Sequence, residues 1–595
     1  MRIRFVLSIF ALFWLALLVR IYYISIKSNT YYEQIAKQNA IKTEELAPPR
    51  GSILDINAKP LSVNKVGFSI SIAPQLSASK NRKILNDEIE FLASILPDID
   101  TEKIKKNYLK RDSPYAHDYV VVIDFITHDA LISSFSKISL RENLAIKLAS
   151  KRYYPYKKLA SHVLGYVSKA NQEDFDEDPV VKLVGYVGKA GIEKYYNALL
   201  QGSKGEKKTK VTAFNEEIEV LEKINPASRD IRLSLDLDLQ QYITEIFAEQ
   251  SGAVVVMNAK NGQILAAGSF PEYDLNQFVN GISTQEWEAL STDFNHPFTN
   301  KLINGLYPPG SITKMGAGLA FMDSNLMNPS TNFYCTGSFE LGGRNFRCWK
   351  KDGHGTTNLV KALRESCDDY FYKGSLRVGI DKISPVFAQL GFGKKSGIDL
   401  PFEFVGSLPS RDWKMQKYQK PWYQGETLIT SIGQGYFLTT PVQVSKYIAS
   451  IATGYGVTPH FIYSVDDLSV DYGKEENIFT QKQKKYLPII REGMYEVINS
   501  PSGTGFRYVK TKVKIAGKTG TAQVIGIPQG EKERMKESEL EYYHRSHAWL
   551  ATYGPFDDPQ YVVTVMVEHG GHGGTAGGKI TSLIYDKLQE MGYIK

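Results

Sequence analysis

Tyr307-Pro308-Pro309-Gly310-Ser311-Ile312-Thr313-Lys314 is the stretch on which the reading of this chain turns. Two prolines and a glycine halt the preceding chain and leave Ser311 at a helix start, where unpaired backbone N–H groups and the helix dipole favour developing negative charge. Ser311 and Lys314 then stand three residues apart on one helical face, close enough for an amine to take the hydroxyl proton. The same Ser-x-x-Lys spacing at Ser77/Lys80 and Ser134/Lys137 lacks such a turn and reads as a chance match on a solvated helix or turn.

Two further short motifs follow in order, Ser366-Cys367-Asp368 and Lys518-Thr519-Gly520. Each alone is weak, since Ser-x-Asp recurs at Ser464/Asp466. Together they supply what acyl transfer needs. An ordinary lysine titrates near about 10.4, so a basic Lys314 requires burial or a neighbouring cation, and Lys518 is the candidate. Ser366 relays a proton toward a leaving amine, and Asp368 holds that loop or pairs with a lysine. Lys518 and Thr519, on an edge strand, hold a substrate carboxylate, with Gly520 permitting close backbone approach. The N–H groups of Ser311 and Thr521 form an oxyanion hole.

Outward from these motifs, 252–257 and 263–267 are apolar strands joined by a turn at Asn258 to Gly262, and 511–516, 548–553 and 561–567 supply three more. The interval between is mostly helical, which gives an antiparallel sheet flanked by helices. Upstream, 81–112 and 127–148 carry helix-like spacing, while 66–72, 119–125 and 218–221 look strand-like, so the middle of the chain is also α+β. A linker-like stretch at 225–230 puts the start of the last domain at Ile231. Residues 31–42 read as a helical stalk, broken by Ala47-Pro48-Pro49-Arg50-Gly51.

The N-terminus sets the compartment. Phe5 to Val19 carries no charge, and after Arg20 the apolar character resumes to Ile26. The segment is long enough to span a bilayer, and Tyr22, Tyr23 and Ile24 are too large for a signal-peptide cleavage site, so it reads as an uncleaved anchor. Arg2 and Arg4 favour a cytoplasmic amino end and place the rest outside the cytoplasm. A buried core helix is the rival reading. With 595 residues and 43% hydrophobic content, two or three folded units are expected; a net charge of +7 spread over 71 basic and 64 acidic residues gives no nucleic-acid tail.

All three cysteines lie close together with one histidine, Cys335, Cys348, His354 and Cys367, in the pattern C-x12-C-x5-H-x12-C. That is a Cys3His set of the kind that closes a structural zinc site, and Cys367 lies inside the second motif. A Cys335-Cys348 disulfide with Cys367 buried as a small apolar residue, or three unrelated thiols, are the competing readings.

The motif trio is shared by penicillin-binding proteins and class A β-lactamases. From Ala47 onward the chain resembles a class B penicillin-binding protein, most like penicillin-binding protein 2 of the rod-elongation machinery. Pro49-Arg50-Gly51-x-Ile53-x-Asp55, Arg152-x-Tyr154-Pro155, His162-Val-Leu-Gly-Tyr166 and Gly188-x-x-Gly191-Ile-Glu193-x-x-Tyr196 carry the resemblance upstream. Pro271-x-Tyr273-Asp274, Gly353-His354-Gly355, Gly433-Gln434-Gly435, Thr440-Pro-Val-Gln443 and Gly517-Lys-Thr-Gly-Thr521 carry it downstream. Ser-Cys-Asp in place of the superfamily's Ser-x-Asn, followed by Tyr370-Phe371-Tyr372, is similar to the elongation subgroup. The glycine-rich tail near His569 and His572 is looser than the family's, and both read as satisfied loop histidines.

The resemblance implies an α+β chain with a cytoplasmic tail at 1–4, a transmembrane anchor at 5–26, an elongated pedestal (dimerisation-type) domain at 27–230 and a transpeptidase domain at 231–595. It implies a single-pass inner-membrane protein with its catalytic domain in the periplasm, cross-linking peptidoglycan stem peptides ending in D-Ala-D-Ala through a Ser311 acyl-enzyme and acylated by β-lactams. No cofactor serves catalysis. A SEDS-type glycan polymerase and rod-complex scaffold proteins are the implied partners. Arg50, Arg152 and Glu193 read either as exposed charges or as braces of the pedestal. A β-lactamase, a carboxypeptidase, and a β-lactam-binding scaffold or sensor with little turnover are the rival functions.

Overall fold

The computed structural model describes residues 2–27, 41–96, 99–115, 118–212, 217–247, 249–525 and 537–595. Most of the expected stalk at 31–42 lies outside them; its last two residues begin a strand, Ile41–Leu46. The chain divides into two compact units: Met1–Arg50 with Ala170–Tyr186 and Gln201–Ser228, and Gly51–Lys169 with Val187–Leu200 and Arg229–Lys595.

In the first unit the helix Arg2–Tyr22 runs into a π-helical turn, Tyr23–Lys27. Its apolar span, Ile3–Ile26, has a mean hydropathy of 2.3 and buries none of its surface in the protein, which fits a single-pass membrane anchor. Beyond it, Ile41–Leu46, Gly205–Val211 and Glu217–Ile224 form a three-stranded antiparallel sheet in that order. Every residue of the last strand is exposed.

The second unit is built on two sheets. The catalytic one has five antiparallel strands in the order Ile264–Phe270, Gly252–Asn258, Tyr561–Val567, His547–Gly554 and Ala516–Ala522. Its central residues alternate between two cores, as the period-2 geometry of a strand dictates. Ala253, Val255 and Met257 face a core shared with the helices Lys314–Asp323 and Pro441–Thr453, while Val254 and Val256 face one shared with Leu237–Phe247 and Gly573–Glu590. Full burial of each such side chain stabilises the fold by about 1.5–3 kcal/mol. The sheet's last strand starts at Ala516, not Thr511. Residues 511–515 form a loop, with the Thr511 hydroxyl (2.7 Å) and the Lys512 N–H (3.0 Å) both donating to Asp586 Oδ1.

The other sheet joins upstream and downstream chain. Ile231–Leu233 lies parallel to Ile53–Leu54 and antiparallel to Ile462–Val465, so the start of the expected catalytic domain shares a sheet with the start of the expected pedestal. Pro60–Ile72 continues that sheet and pairs with both Val120–Ile126 and Leu144–Tyr153. The helical reading of 127–148 is therefore corrected. Only His128–Leu131 and Phe135–Ser139 are helical, and the alternating Leu144, Ile146 and Leu148 belong to a strand in register with Ile72, Ile70 and Phe68.

The exposed-charge reading of Arg152 and Glu193 also fails. Arg152 Nε donates to Glu193 Oε1 at 2.7 Å with both side chains almost wholly buried. Ser62 (3.1 Å) and the Tyr154 hydroxyl (3.2 Å) donate to the same oxygen, and Arg152 Nη1 donates to the Gly51 carbonyl at 2.7 Å. Arg50 donates to Gln201 Oε1 at 2.8 Å within the first unit.

Candidate active site

The halted chain before Ser311 forms a single 3-10 turn, Gly310–Thr313, that passes into the helix Lys314–Asp323. Tyr447 braces the junction: its buried hydroxyl donates to the Ile312 carbonyl (3.2 Å) and accepts from the Gly316 N–H (2.7 Å). Gly310 has φ +54°, and a Cβ there would lie 2.6 Å from the Thr521 carbonyl oxygen and 3.3 Å from its nitrogen. Only glycine brings the nucleophile turn this close to the edge strand. The backbone nitrogens of Ser311 and Thr521, the expected oxyanion pair, are therefore drawn from two segments in direct contact.

The three motifs meet. Lys314 Nζ donates to Asp368 Oδ1 (2.7 Å), the Ser366 carbonyl (2.8 Å) and Ser366 Oγ (3.2 Å). Lys518 Nζ donates to the same Ser366 Oγ at 2.9 Å and to the Thr519 carbonyl at 3.0 Å. Both lysines are fully buried, and Ser366 and Asp368 nearly so. With two N–H donors on its oxygen, Ser366 has its own proton left to give outward. Ser366 has φ +53°, a left-handed conformation that costs a non-glycine residue about 1–3 kcal/mol and gathers at functional sites.

Two lysines meet here, and only Lys314 pairs with a carboxylate. Burial pushes Lys518 well below the ordinary lysine range, and the adjacent Lys314 charge adds to it. Burial pushes the Asp368 carboxyl up while Lys314 pulls it back. The sequence reading assigned Lys518 to depress Lys314. The geometry adds the reverse influence and gives Lys314 a counter-ion in Asp368. Gly520 permits close backbone approach as expected: a Cβ there would meet Ile312 Cγ1 at 2.9 Å and the Pro309 carbonyl at 3.1 Å, so it lets the nucleophile turn pack against the edge strand.

Behind the second motif lie the cysteines. The ligand atoms of Cys335, Cys348, His354 and Cys367 all lie within 4.8 Å of one another, with all four residues buried. All three cysteines are free thiols. His354 Nδ1 sits 3.5 Å from Cys348 Sγ and 3.6 Å from Cys335 Sγ. Cys348 is pulled down to about 2 by the Cys367 thiol and then by His354, and Cys367 is pushed up by the same contact. The cluster reaches the catalytic loop directly: Asp368 N–H donates to Cys348 Sγ (3.3 Å), and Trp349 N–H donates to Asp368 Oδ2 (3.0 Å).

Two polar residues escaped the sequence reading. Gln434 Nε2 donates to the Thr521 carbonyl at 2.9 Å, and Thr504 Oγ1 lies 2.7 Å from Thr519 Oγ1. Gln434 lies in the quoted Gly-Gln-Gly run; Thr504 lies between two glycines that carry no chemistry of their own.

Comparison with known proteins agrees with this geometry. Residues 252–589 match the penicillin-binding protein transpeptidase domain, and residues 45–233 match the penicillin-binding protein dimerisation domain. The chain therefore belongs to the penicillin-binding protein transpeptidases. Within them it is a serine-type D,D-transpeptidase of class B and of the penicillin-binding protein 2 type. Peptidoglycan D,D-transpeptidase MrdA of Escherichia coli strain K12 is 34% identical over 94% of this chain and 90% of its own length. The penicillin-binding protein 2 of Helicobacter pylori, solved in complex with MreC, is 41% identical with a TM-score of 0.86, covering 93% of this chain and 99% of that one. A chain from a peptidoglycan synthase complex coordinating polymerization and crosslinking is 26% identical with a TM-score of 0.70, covering 100% of this chain and 99% of that one.

Proposed function

We propose that the chain cross-links peptidoglycan stem peptides ending in D-Ala-D-Ala through an acyl-enzyme on Ser311. The observation that carries this is Ser366 Oγ, held between Lys314 Nζ and Lys518 Nζ. Ser311 Oγ attacks the penultimate carbonyl. Its proton passes to the Lys314 amine, which acts as general base in its neutral form and is held in place by Ser366 and Asp368. The Ser311 and Thr521 N–H groups receive the oxyanion. The carbon–nitrogen bond then breaks, and Ser366 relays a proton to the departing D-Ala amine. An amine from a neighbouring stem attacks the ester, and its proton returns to Ser311. Lys518 and Thr519 hold the terminal carboxylate. β-Lactams follow the first half of the path and stall in the second.

The apolar N-terminal helix, with Arg2 and Arg4 favouring a cytoplasmic amino end, supports a single-pass inner-membrane protein with its catalytic domain in the periplasm. The solved relatives, one in complex with MreC and one from a peptidoglycan synthase complex, support assembly with partners of the rod complex; a SEDS-type glycan polymerase is the partner that the family resemblance implies. The Cys335, Cys348, His354 and Cys367 set holds a structural zinc, a reading supported by four buried donors converging within 4.8 Å and by their contact with the Asp368 loop. When bound, the metal fixes that loop and takes no part in acyl transfer.

Fluorescent penicillin tests the reaction: slow-turnover labelling of Ser311 supports it, whereas rapid hydrolysis of the drug or no labelling rejects it. Elemental analysis of protein purified without chelator should find about one zinc per chain, lost in His354→Ala. Metal-free protein with undiminished acylation would sink the zinc reading alone.

A further inference from the structure

We propose that Thr504 is a positioning residue that aligns the Thr519 hydroxyl for the substrate carboxylate. The inference rests on the proposed role of Thr519 and extends it to a residue outside all three motifs. Thr504 Oγ1 lies 2.7 Å from Thr519 Oγ1. Thr519 is 8% exposed and sits on the edge strand between Lys518 and Gly520, opposite Leu550. A carboxylate can only accept hydrogen bonds, so a bound carboxylate obliges Thr519 to donate to it. The Thr519 oxygen is then the acceptor in its contact with Thr504, and Thr504 is the donor. Two hydroxyls donating in series polarise one another, which strengthens the bond that reaches the ligand.

The segment that carries Thr504 is held as a rigid shelf. Thr504 N–H donates to the Arg364 carbonyl (3.3 Å), and Gly505 N–H to the Val497 carbonyl (2.9 Å). A Cβ on Gly503 would lie 2.3 Å from the carbonyl oxygens of both Glu496 and Val497, so this turn packs against the end of the helix Gln481–Asn499 in a way only glycine allows. Arg364 ties the shelf further, pairing through Nη1 with Glu496 (3.0 Å) and through Nη2 with Glu365 (2.8 Å). A rotamer fixed from a rigid support is what orientation of a small ligand group requires.

Full-length protein in detergent micelles, as wild type, Thr504→Val, Thr504→Ser, Thr519→Val and the double valine variant, decides the matter by acylation kinetics with benzylpenicillin and with its methyl ester. Thr504→Val should lower the second-order acylation rate with the free acid by about tenfold, mostly in the binding constant, and should leave the rate with the ester within about twofold. Thr504→Ser should restore the acid rate, and Thr504→Val should add nothing to Thr519→Val. If valine at 504 does not fold, Thr504→Ala takes its place with the same expectations. Equal slowing of acid and ester, or a full additional loss in the double variant, overturns the proposal and leaves Thr504 a packing residue. Indifference of Thr519→Val to the presence of the carboxylate overturns the carboxylate role of Thr519, and this proposal with it.

Discussion

Two buried ionic clusters in the second unit are built on opposite principles. Around Glu193, one carboxylate receives Arg152, Ser62 and Tyr154, and the arginine also satisfies a backbone carbonyl. Around Ser366, two lysines converge on one hydroxyl, and only Lys314 also meets the carboxylate of Asp368. Charges match one to one in the first cluster, although Arg152 Nη2 is buried without a hydrogen-bond partner among the described residues. In the second, Lys314 pairs with Asp368 while Lys518 meets a hydroxyl and a carbonyl, and burial first, then the Lys314 charge, push Lys518 well below the ordinary lysine range. A pair with matched charge stabilises a fold against losing either member. Lys518, paired only with neutral oxygens, is the cation without a carboxylate of its own at hydrogen-bond distance among the described residues, the deficit that the proposed substrate carboxylate would fill.

Breaking the charge-deficient cluster at its nucleophile has the largest expected effect. Ser311→Ala and Lys314→Ala should each lower penicillin acylation by at least about 10³-fold, since the two act as one unit, with the thermal midpoint of Ser311→Ala unchanged. Persistent labelling of Ser311→Ala at the wild-type rate would reject the assignment. Breaking the matched cluster should act on stability. Glu193→Ala strands a buried guanidinium and should cost about 3–5 kcal/mol in urea denaturation, while the molecules that remain folded acylate normally.

A third outcome concerns pH. His162 is buried, donates from Nε2–H to the Pro297 carbonyl at 2.7 Å, and is pushed down to about 4 by its burial from an ordinary value of 6.5. Above pH 6.5 it is neutral in both states and its contribution is complete. Between 6.5 and 4 the unfolded chain takes up a proton that the native state refuses, so unfolding becomes easier as pH falls, by about 3 kcal/mol in all. His162→Gln should flatten that slope in denaturation measured from pH 7 to 4; an unchanged slope would assign the acid sensitivity elsewhere. The smallest effect tests the deficit itself. Lys518→Met removes the surplus ammonium and should raise stability by about 1 kcal/mol while abolishing acylation, the trade expected where a site is held in a charge state the fold disfavours.

The catalytic motifs were legible because their chemistry dictates residue type and the surrounding glycines and prolines dictate where the chain must turn. The hairpin at 252–270 was legible for a similar reason, as strong β-formers flank an Asn-Gly turn. The strand that carries Lys518 was placed five residues early. Val513 and Ile515 look more strand-like than Gly517, Thr519 and Gly520, yet pairing with 547–553 selects the glycine-rich segment. Residues 144–148 misled in the other direction, because a period-2 alternation as short as Leu144, Ile146 and Leu148 is easily absorbed into a helical pattern. For Arg152 and Glu193 the sequence leaves two readings open, exposed charges or braces of the pedestal, and does not choose between them. Nothing in two charges 41 positions apart signals burial until the sheet and the segment Gly191–Tyr195 place them together. Thr504 was invisible for the same reason, its partner lying 15 positions away across a turn.

The strand Ala516–Ala522 ends its sheet, and among the described residues no sixth strand pairs with its outer side. Proteins usually blunt such an edge, because any extended chain can add to it. An enzyme that must accept a peptide from a polymer too large to enter a pocket has use for that openness. A stem laid alongside the edge would be recognised by its backbone, with its side chains pointing above and below the sheet. Selectivity then falls on the terminal carboxylate and the reacting carbonyl, and the composition of the rest of the stem is free to drift between cell walls without remaking the catalytic machinery.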